Sequence, residues 1–202
     1  MITVYFDFLC PFAWRGVELL AALEVAFKPC HYSLVQGNHA ENAGLPRHKP
    51  VWKLSEQPLD AGDYTSASLE AFLASHAAKH QGAKAHLRFI LELFRARHLH
   101  QKELDTQTIL QAAQSANLDL EAFNLARADE STRRNELEQD LVQAGELAVF
   151  GTPTIQLENS TAAYFRFAKL PESKEAQETL WQMYQSVLHS EAQIETIKRP
   201  RK

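Results

Sequence analysis

The chain opens on an alternation of period two. Ile2, Val4, Phe6 and Phe8 are apolar, and Thr3, Tyr5 and Asp7 separate them, which predicts a strand over residues 2–8. Cys10-Pro11 stops it. A helical period follows, with Gly16, Leu20, Leu23 and Phe27 falling on one face of a helix over residues 11–27. Pro11 suits the first turn, where a missing N–H costs nothing, and Pro29 is expected to close the helix. His31 to Gln36 reads as a second short strand. Such a strand–helix–strand unit favours a parallel pair with a right-handed crossover.

From residue 37 to 63 the pattern is irregular, punctuated by Gly37, Gly44, Pro46, Pro50, Pro58 and Gly62. Helical periodicity then dominates to about residue 147. Leu69, Phe72 and Leu73 mark one helix, which Gln81-Gly82 breaks, and Leu87, Ile90, Leu91 and Phe94 mark the next. Two shorter helices are expected over 104–116 and 120–128, and Leu137, Leu141, Ala144 and Ala148 form the cleanest stripe in the chain. Gly151-Thr152-Pro153 introduces a strand over 154–157, Asn159-Ser160 a turn, and residues 163–167 a hairpin partner. Pro171 opens a last helix with Leu180, Met183, Tyr184, Val187 and Leu188 on one face. The fold class is α/β. Residues 1–58 and 148–192 are expected to build one sheet domain, 63–147 an all-helical insertion, and 193–202 a flexible basic tail.

Composition narrows the function classes. The 202 residues carry a net charge of −4, and four of the 21 Lys and Arg (Lys198, Arg199, Arg201 and Lys202) sit in the last five positions. The body of the chain is therefore more acidic still, which argues against a nucleic-acid-binding surface. No apolar run approaches the ~18–20 residues of a membrane span. Asp7 interrupts what would otherwise be the apolar stretch of a secretory signal. Two cysteines cannot make a disulfide scaffold or a zinc site. Among nine histidines, His76 and His80 can share a helix face and His98 and His100 flank a helix end, but no Cys or carboxylate pattern completes a ligand set, so they read as solvated and no metal is expected. A cytoplasmic, helix-rich protein is what remains.

The chemistry centres on Cys10, placed where a strand ends and a helix begins. Unpaired N–H groups and the positive end of the helix dipole stabilise an anion there, and the thiolate is the nucleophilic form of cysteine. A helix over 11–27 rises ~1.5 Å per residue and would separate Cys30 from Cys10 by about 25 Å, against the ~7 Å that a disulfide allows between Cα atoms. Cys30 is therefore expected at the far end of the sheet, as a core thiol. Phe12 is expected on an exposed rim beside the thiol, and Trp14 between the sheet and the insertion. Asp7, three residues before Cys10, suits a hydrogen-bonded structural role better than proton transfer.

The order of elements matches a thioredoxin fold carrying a helical insertion, and two motifs carry a resemblance to a family. Asp7-Phe8-Leu9-Cys10-Pro11-Phe12-Ala13-Trp14-Arg15-Gly16 resembles the active-site segment of the DsbA-like thioredoxin superfamily, and Val149-Phe150-Gly151-Thr152-Pro153-Thr154 resembles its cis-proline loop. FrnE-type oxidoreductases carry Cys-Pro-Trp-Cys at the first motif. Kappa-class glutathione transferases and 2-hydroxychromene-2-carboxylate isomerases carry a serine, a proline, an aromatic and a small residue, often followed by Trp-x-Gly. This chain keeps the first cysteine and has Ala13 in place of the second. Asn117-Leu118-Asp119 and the Asp140 helix are also similar to the FrnE insertion.

The resemblance implies a cis Thr152–Pro153 bond, with Thr152 facing Cys10 and offering its backbone to an extended peptide or to glutathione. Cys10 would be catalytic, and Pro11, Phe12, Thr152 and Pro153 would bind substrate or glutathione. No tightly bound cofactor is implied. Glutathione enters as a co-substrate, the partner is a thiol or disulfide, small or protein, and a homodimer stays open. The leading expectation is a thiol-disulfide oxidoreductase working through Cys10 alone and released by a low-molecular-weight thiol. Two others stand beside it: a glutathione-dependent transferase or isomerase, and a redox-inactive binding module that has lost its second cysteine.

Overall fold

Strand β1 (Ile2–Phe6) is the strand against which both halves of the sheet assemble, and all but its first residue are buried. The alternation runs on to Phe8, but the strand stops at Phe6. Asp7 closes a turn there, its Oδ1 accepting from Leu9 N at 2.9 Å and its carbonyl from Cys10 N at 3.0 Å. The computed structural model describes residues 1–46, 52 and 68–197.

Helix α1 (Pro11–Ala22) is shorter than the apolar stripe suggests. Glu24 takes a left-handed backbone conformation (φ 55°), and Val25 N bonds back to Leu20 O, so the chain leaves the helix five residues early. Phe27 is not the last helical knob but the first residue of β2 (Phe27–His31), where it pairs with Ile2 in a parallel register. Pro29 lies inside this strand rather than ending a helix. The sheet order β2-β1-β3-β4 explains why: β2 is an edge strand, where a missing N–H is tolerated. The strand expected over 31–36 is confined to His31. Ser33 instead caps a four-residue helix, α2 (Leu34–Gly37), its Oγ accepting from Gln36 N at 3.2 Å. A 3-10 turn follows at Ala40–Asn42.

Among the described residues five more helices come before the sheet resumes: α3 (Leu69–Lys79), α4 (Ala83–His98), α5 (Thr106–Ser115), α6 (Leu120–Ala128) and α7 (Glu130–Glu146). Gly82 separates α3 from α4 at φ 93°, a conformation that favours glycine. Asp105, Asp119 and Asp129 each accept a backbone N–H at the start of α5, α6 and α7, which satisfies donors the helices cannot pair internally. Then β3 (Thr154–Gln156) joins β1 in antiparallel register, Val4 opposite Ile155, and β4 (Ala162–Tyr164) completes the hairpin. The last helix, α8 (Lys174–Leu188), begins at a Ser173 cap rather than at Pro171, and buries Trp181 and Tyr184 while Met183 faces out. The result is the thioredoxin-like α/β fold with a mixed four-stranded sheet and a helical insertion.

The helices do not form a detached lobe. Val4, Phe6 and Phe8 share one apolar core with Phe72 of α3 and Phe89 and Phe94 of α4. Phe8 lies 5.0 Å from Phe94 and 6.1 Å from Phe72, centroid to centroid, contacts worth ~0.5–1.5 kcal/mol each beyond simple burial. The residues that lead into Cys10 are thus held by the insertion. The domain boundaries expected at 58 and 63 lie outside the described residues, as do the four cations of the tail; residues 193–197 are exposed.

Candidate functional site

The site forms where the turn after β1 meets the loop before β3. Cys10 is the N-cap residue of α1, with extended backbone, and its Sγ accepts from Ala13 N at 3.4 Å. Its thiol donates to Thr152 O at 3.2 Å. One sulfur therefore touches a helix N-terminus on one side and the loop on the other. Cys10 is only 5 % exposed, while Pro11 beside it is exposed and Phe12 half-buried.

The loop is fixed from three directions. The Thr152–Pro153 bond is cis. Thr154 Oγ1 donates to Gly151 O at 2.7 Å, and Phe165 N donates to Pro153 O at 2.9 Å. Pro153 packs on α1 at Gly16, where even a Cβ would meet its Cγ at 2.9 Å. Only glycine lets the helix approach the loop this closely. Thr152 is itself buried, and its Oγ1 has no hydrogen-bond partner among the described residues.

The rim carries positive charge. Phe12 is half-buried, with the Arg166 guanidinium 3.7 Å from its ring centroid and that of Arg15 at 5.3 Å. A cleft of about 400 Å³ is lined by Tyr32, Asn38, His39 and, from the start of the loop, Val149 and Phe150.

The turn that leads into Cys10 is braced from behind. His98 of α4 hydrogen-bonds Phe8 O at 2.8 Å through Nε2 and stacks on Trp14 (centroids 5.6 Å, planes 14° apart). Trp14 thus packs against the insertion, its Nε1 donating to Glu18. Arg95 of α4 holds both oxygens of Glu18, at 2.8 and 3.0 Å, and ties α4 to α1. Asp7 is fully buried and accepts from Leu9 N, Leu34 N and Ser68 Oγ, joining the end of β1 to α2 and the start of α3. Burial pushes its carboxyl above the ordinary value despite these bonds.

Cys30 is not at the far end of the sheet. The misplaced helix end put it there; in β2 it stands opposite Tyr5, one residue from the C-terminal end of the strand. It remains a core thiol. Alternation along β1 turns Tyr5, and with it Cys30, to the side opposite Val4 and Phe6, and Cys30 joins a core with Tyr32, Ala144 and Val149 that does not include Cys10. Its Sγ donates to Asp140 O at 3.5 Å. Burial, and then the Asp140 charge, push this thiol well up. Both cysteines are unpaired.

The reading of the histidines as solvated fails for three of them. His31, His76 and His86 are buried, 1, 2 and 4 % exposed, because β2, α3 and α4 turn them inward. No spacing in the sequence signals this, since each comes from a different element.

Residues 4–172 match the profile of the family described as thioredoxin, and the chain belongs to that family. No curated protein matches the sequence significantly. Among solved structures, the cytosolic disulfide reductase DsbM from Pseudomonas aeruginosa, determined with GSH, is 20 % identical at a TM-score of 0.57, over 91 % of this chain and 98 % of that one. A 2-hydroxychromene-2-carboxylate isomerase is 15 % identical at 0.59, over 92 % and 93 %. A probable DsbA oxidoreductase from Streptomyces coelicolor is 15 % identical at 0.57, over 100 % and 92 %. At these identities the likeness is one of fold. No described helix is long and apolar enough to cross a membrane.

Proposed function

We propose that the chain is a monothiol thiol-disulfide oxidoreductase in which Cys10 is the nucleophile and glutathione, or a similar small thiol, releases it. The observation that carries this reading is the setting of the Cys10 sulfur, at a helix N-terminus and against the Thr152 carbonyl, with a buried Ala13 where a dithiol enzyme keeps its second cysteine.

The steps follow from that geometry. The Cys10 thiol loses its proton to solvent, and the N–H of Ala13 remains as donor to the sulfur. The thiolate attacks one sulfur of a substrate disulfide; that S–S bond breaks, the other sulfur leaves as a thiolate and takes up a proton, and a mixed disulfide forms on Cys10. With no thiol at position 13, a second small thiolate attacks the mixed disulfide and expels Cys10. The substrate backbone lies along Thr152, which offers strand-like pairing. Arg15 and Arg166 supply the positive charge that the two carboxylates of glutathione need. The GSH in the P. aeruginosa reductase and that protein's cytosolic description support a reducing cytoplasm as the setting.

The reading is tested by turnover of a glutathionylated peptide. The rate should depend on reduced glutathione, vanish in Cys10→Ser and persist in Cys30→Ser. Turnover in Cys10→Ser refutes it.

A further inference from the structure

Behind the turn that leads into Cys10, two buried imidazoles from two elements converge on one carboxylate oxygen of a third. His31 of β2 reaches Asp140 Oδ2 of α7 through Nδ1 at 2.7 Å and through its backbone N–H at 2.9 Å. His76 of α3 places Nε2 3.3 Å from the same oxygen. The two imidazoles lie 4.5 Å apart, and one ligand atom from each of the three residues falls within 4.8 Å of the others.

We propose that His31, His76 and Asp140 form a binding site for a divalent transition-metal ion, zinc being the simplest occupant. Four observations support it. Neither ring nitrogen of His76 has a hydrogen-bond partner among the described residues, although His76 is 98 % buried. Its Nε2 faces the Asp140 oxygen at 3.3 Å without making a hydrogen bond; a buried imidazole left without a hydrogen bond is costly, and an ion at Nε2 removes that cost. Second, donor atoms around a tetrahedral zinc with bonds of ~2.0–2.1 Å stand about 3.3 Å apart. The His76–Asp140 pair is already at that spacing, and the His31–Asp140 pair needs to open by about half an ångström.

Third, the chemistry of the set fits. Two neutral imidazoles and a carboxylate leave a fourth position for water and suit zinc-like ions rather than calcium or magnesium. Fourth, Glu136 Oε2 lies 3.8 Å from His76 Nδ1 and is itself held by Arg133 at 3.0 Å. At 3.8 Å it does not yet hydrogen-bond the ring, but an approach of under about 1 Å would make it the outer carboxylate that orients a metal-bound histidine. On binding, His31 gives up its Nδ1–H bond to Asp140 and carries its proton on Nε2. The ion would clamp β2, α3 and α7 together, alongside Phe6 and Phe72, whose rings lie 5.1 and 5.0 Å from that of His31.

The test uses the full-length Cys10→Ser protein, so that the active thiol cannot take the metal. After treatment with a chelator it is titrated with Zn²⁺ against a chromophoric competitor. One equivalent should bind, and the affinity should fall by roughly 100-fold or more in His76→Gln and in Asp140→Asn, a loss at least as large as that of an outer partner. Circular dichroism of each metal-free variant shows whether it is folded. If both variants unfold, the Co²⁺ form of the Cys10→Ser protein decides: intense tetrahedral d–d bands without thiolate charge-transfer absorption support the site. Failure to bind stoichiometric Zn²⁺, undiminished affinity in a folded variant, or a weak octahedral or thiolate-type Co²⁺ spectrum overturns it.

Discussion

Cys10 and Thr152 are 142 positions apart and share a hydrogen bond, the thiol donating to the Thr152 carbonyl at 3.2 Å. The contact is made by the backbone of Thr152, while its hydroxyl is buried with no partner among the described residues. An apolar side chain of the same shape removes an unsatisfied group and leaves the contact intact. Thr152→Val should therefore keep the glutathione-dependent rate and leave the thermal midpoint unchanged or slightly higher. A large loss of rate with the fold intact would move the working group from the backbone to the hydroxyl.

Ala13 marks the departure from a dithiol site. It is fully buried in the first turn of α1, with its N–H 3.4 Å from the Cys10 sulfur. A thiol three residues along a helix start meets the Cα spacing of roughly 4.4–6.8 Å that a disulfide requires. On oxidation, Ala13→Cys should form a disulfide between Cys10 and the thiol introduced at position 13, and it should release mixed disulfides without added thiol. Thiol counting and turnover in the absence of glutathione will show both.

The approach of α1 to the loop depends on Gly16. A Cβ there meets Pro153 Cγ at 2.9 Å and Cβ at 3.3 Å, so Gly16→Ala must push the helix and the loop apart. Overpacking of this kind costs about 1–3 kcal/mol. Denaturant unfolding should show that loss, together with a fall in the Cys10-dependent rate.

His86 should make the fold acid-sensitive. It is buried and hydrogen-bonded to Ser75 Oγ at 2.8 Å, and burial, then the nearby His31 and His76, push it down to about 3 from an ordinary 6.5. Between those values the unfolded chain binds a proton that the folded chain refuses. The stability that this ring contributes is complete above about pH 6.5 and is lost as pH falls toward 3. His86→Gln keeps a partner for Ser75 and does not titrate. It should flatten the dependence of unfolding free energy on pH across that window by up to ~1.4 kcal/mol per pH unit.

Local signals made much of this architecture legible. The alternation of Ile2–Phe6, Pro11 after Cys10, and Gly151-Thr152-Pro153 before β3 each announce an element by its own chemistry, while the facing of Cys10 and Thr152 comes from the family resemblance. The errors arose where tertiary pairing overrides local pattern. Phe27 extends the stripe of α1 and Pro29 looks like a helix stop, yet pairing with β1 makes both part of an edge strand. That one reassignment moved Cys30 from one end of the sheet toward the other. His31, His76 and Asp140 could not be found by spacing at all, because β2, α3 and α7 meet only in the folded core. Arg166, beside Phe12, was missed for the same reason: it follows β4 and reaches the rim only through the hairpin.

The central claim, that Cys10 acts alone, is tested most directly by intact-mass measurement after incubation with oxidised glutathione at neutral pH. The Cys10 thiolate should displace one glutathione as its thiolate and keep the other as a mixed disulfide. The expected result is a persistent single adduct located on Cys10, present in Cys30→Ser, absent in Cys10→Ser and reversed by excess reduced glutathione. An unmodified Cys10, or an intramolecular Cys10–Cys30 disulfide in place of the adduct, would contradict the account.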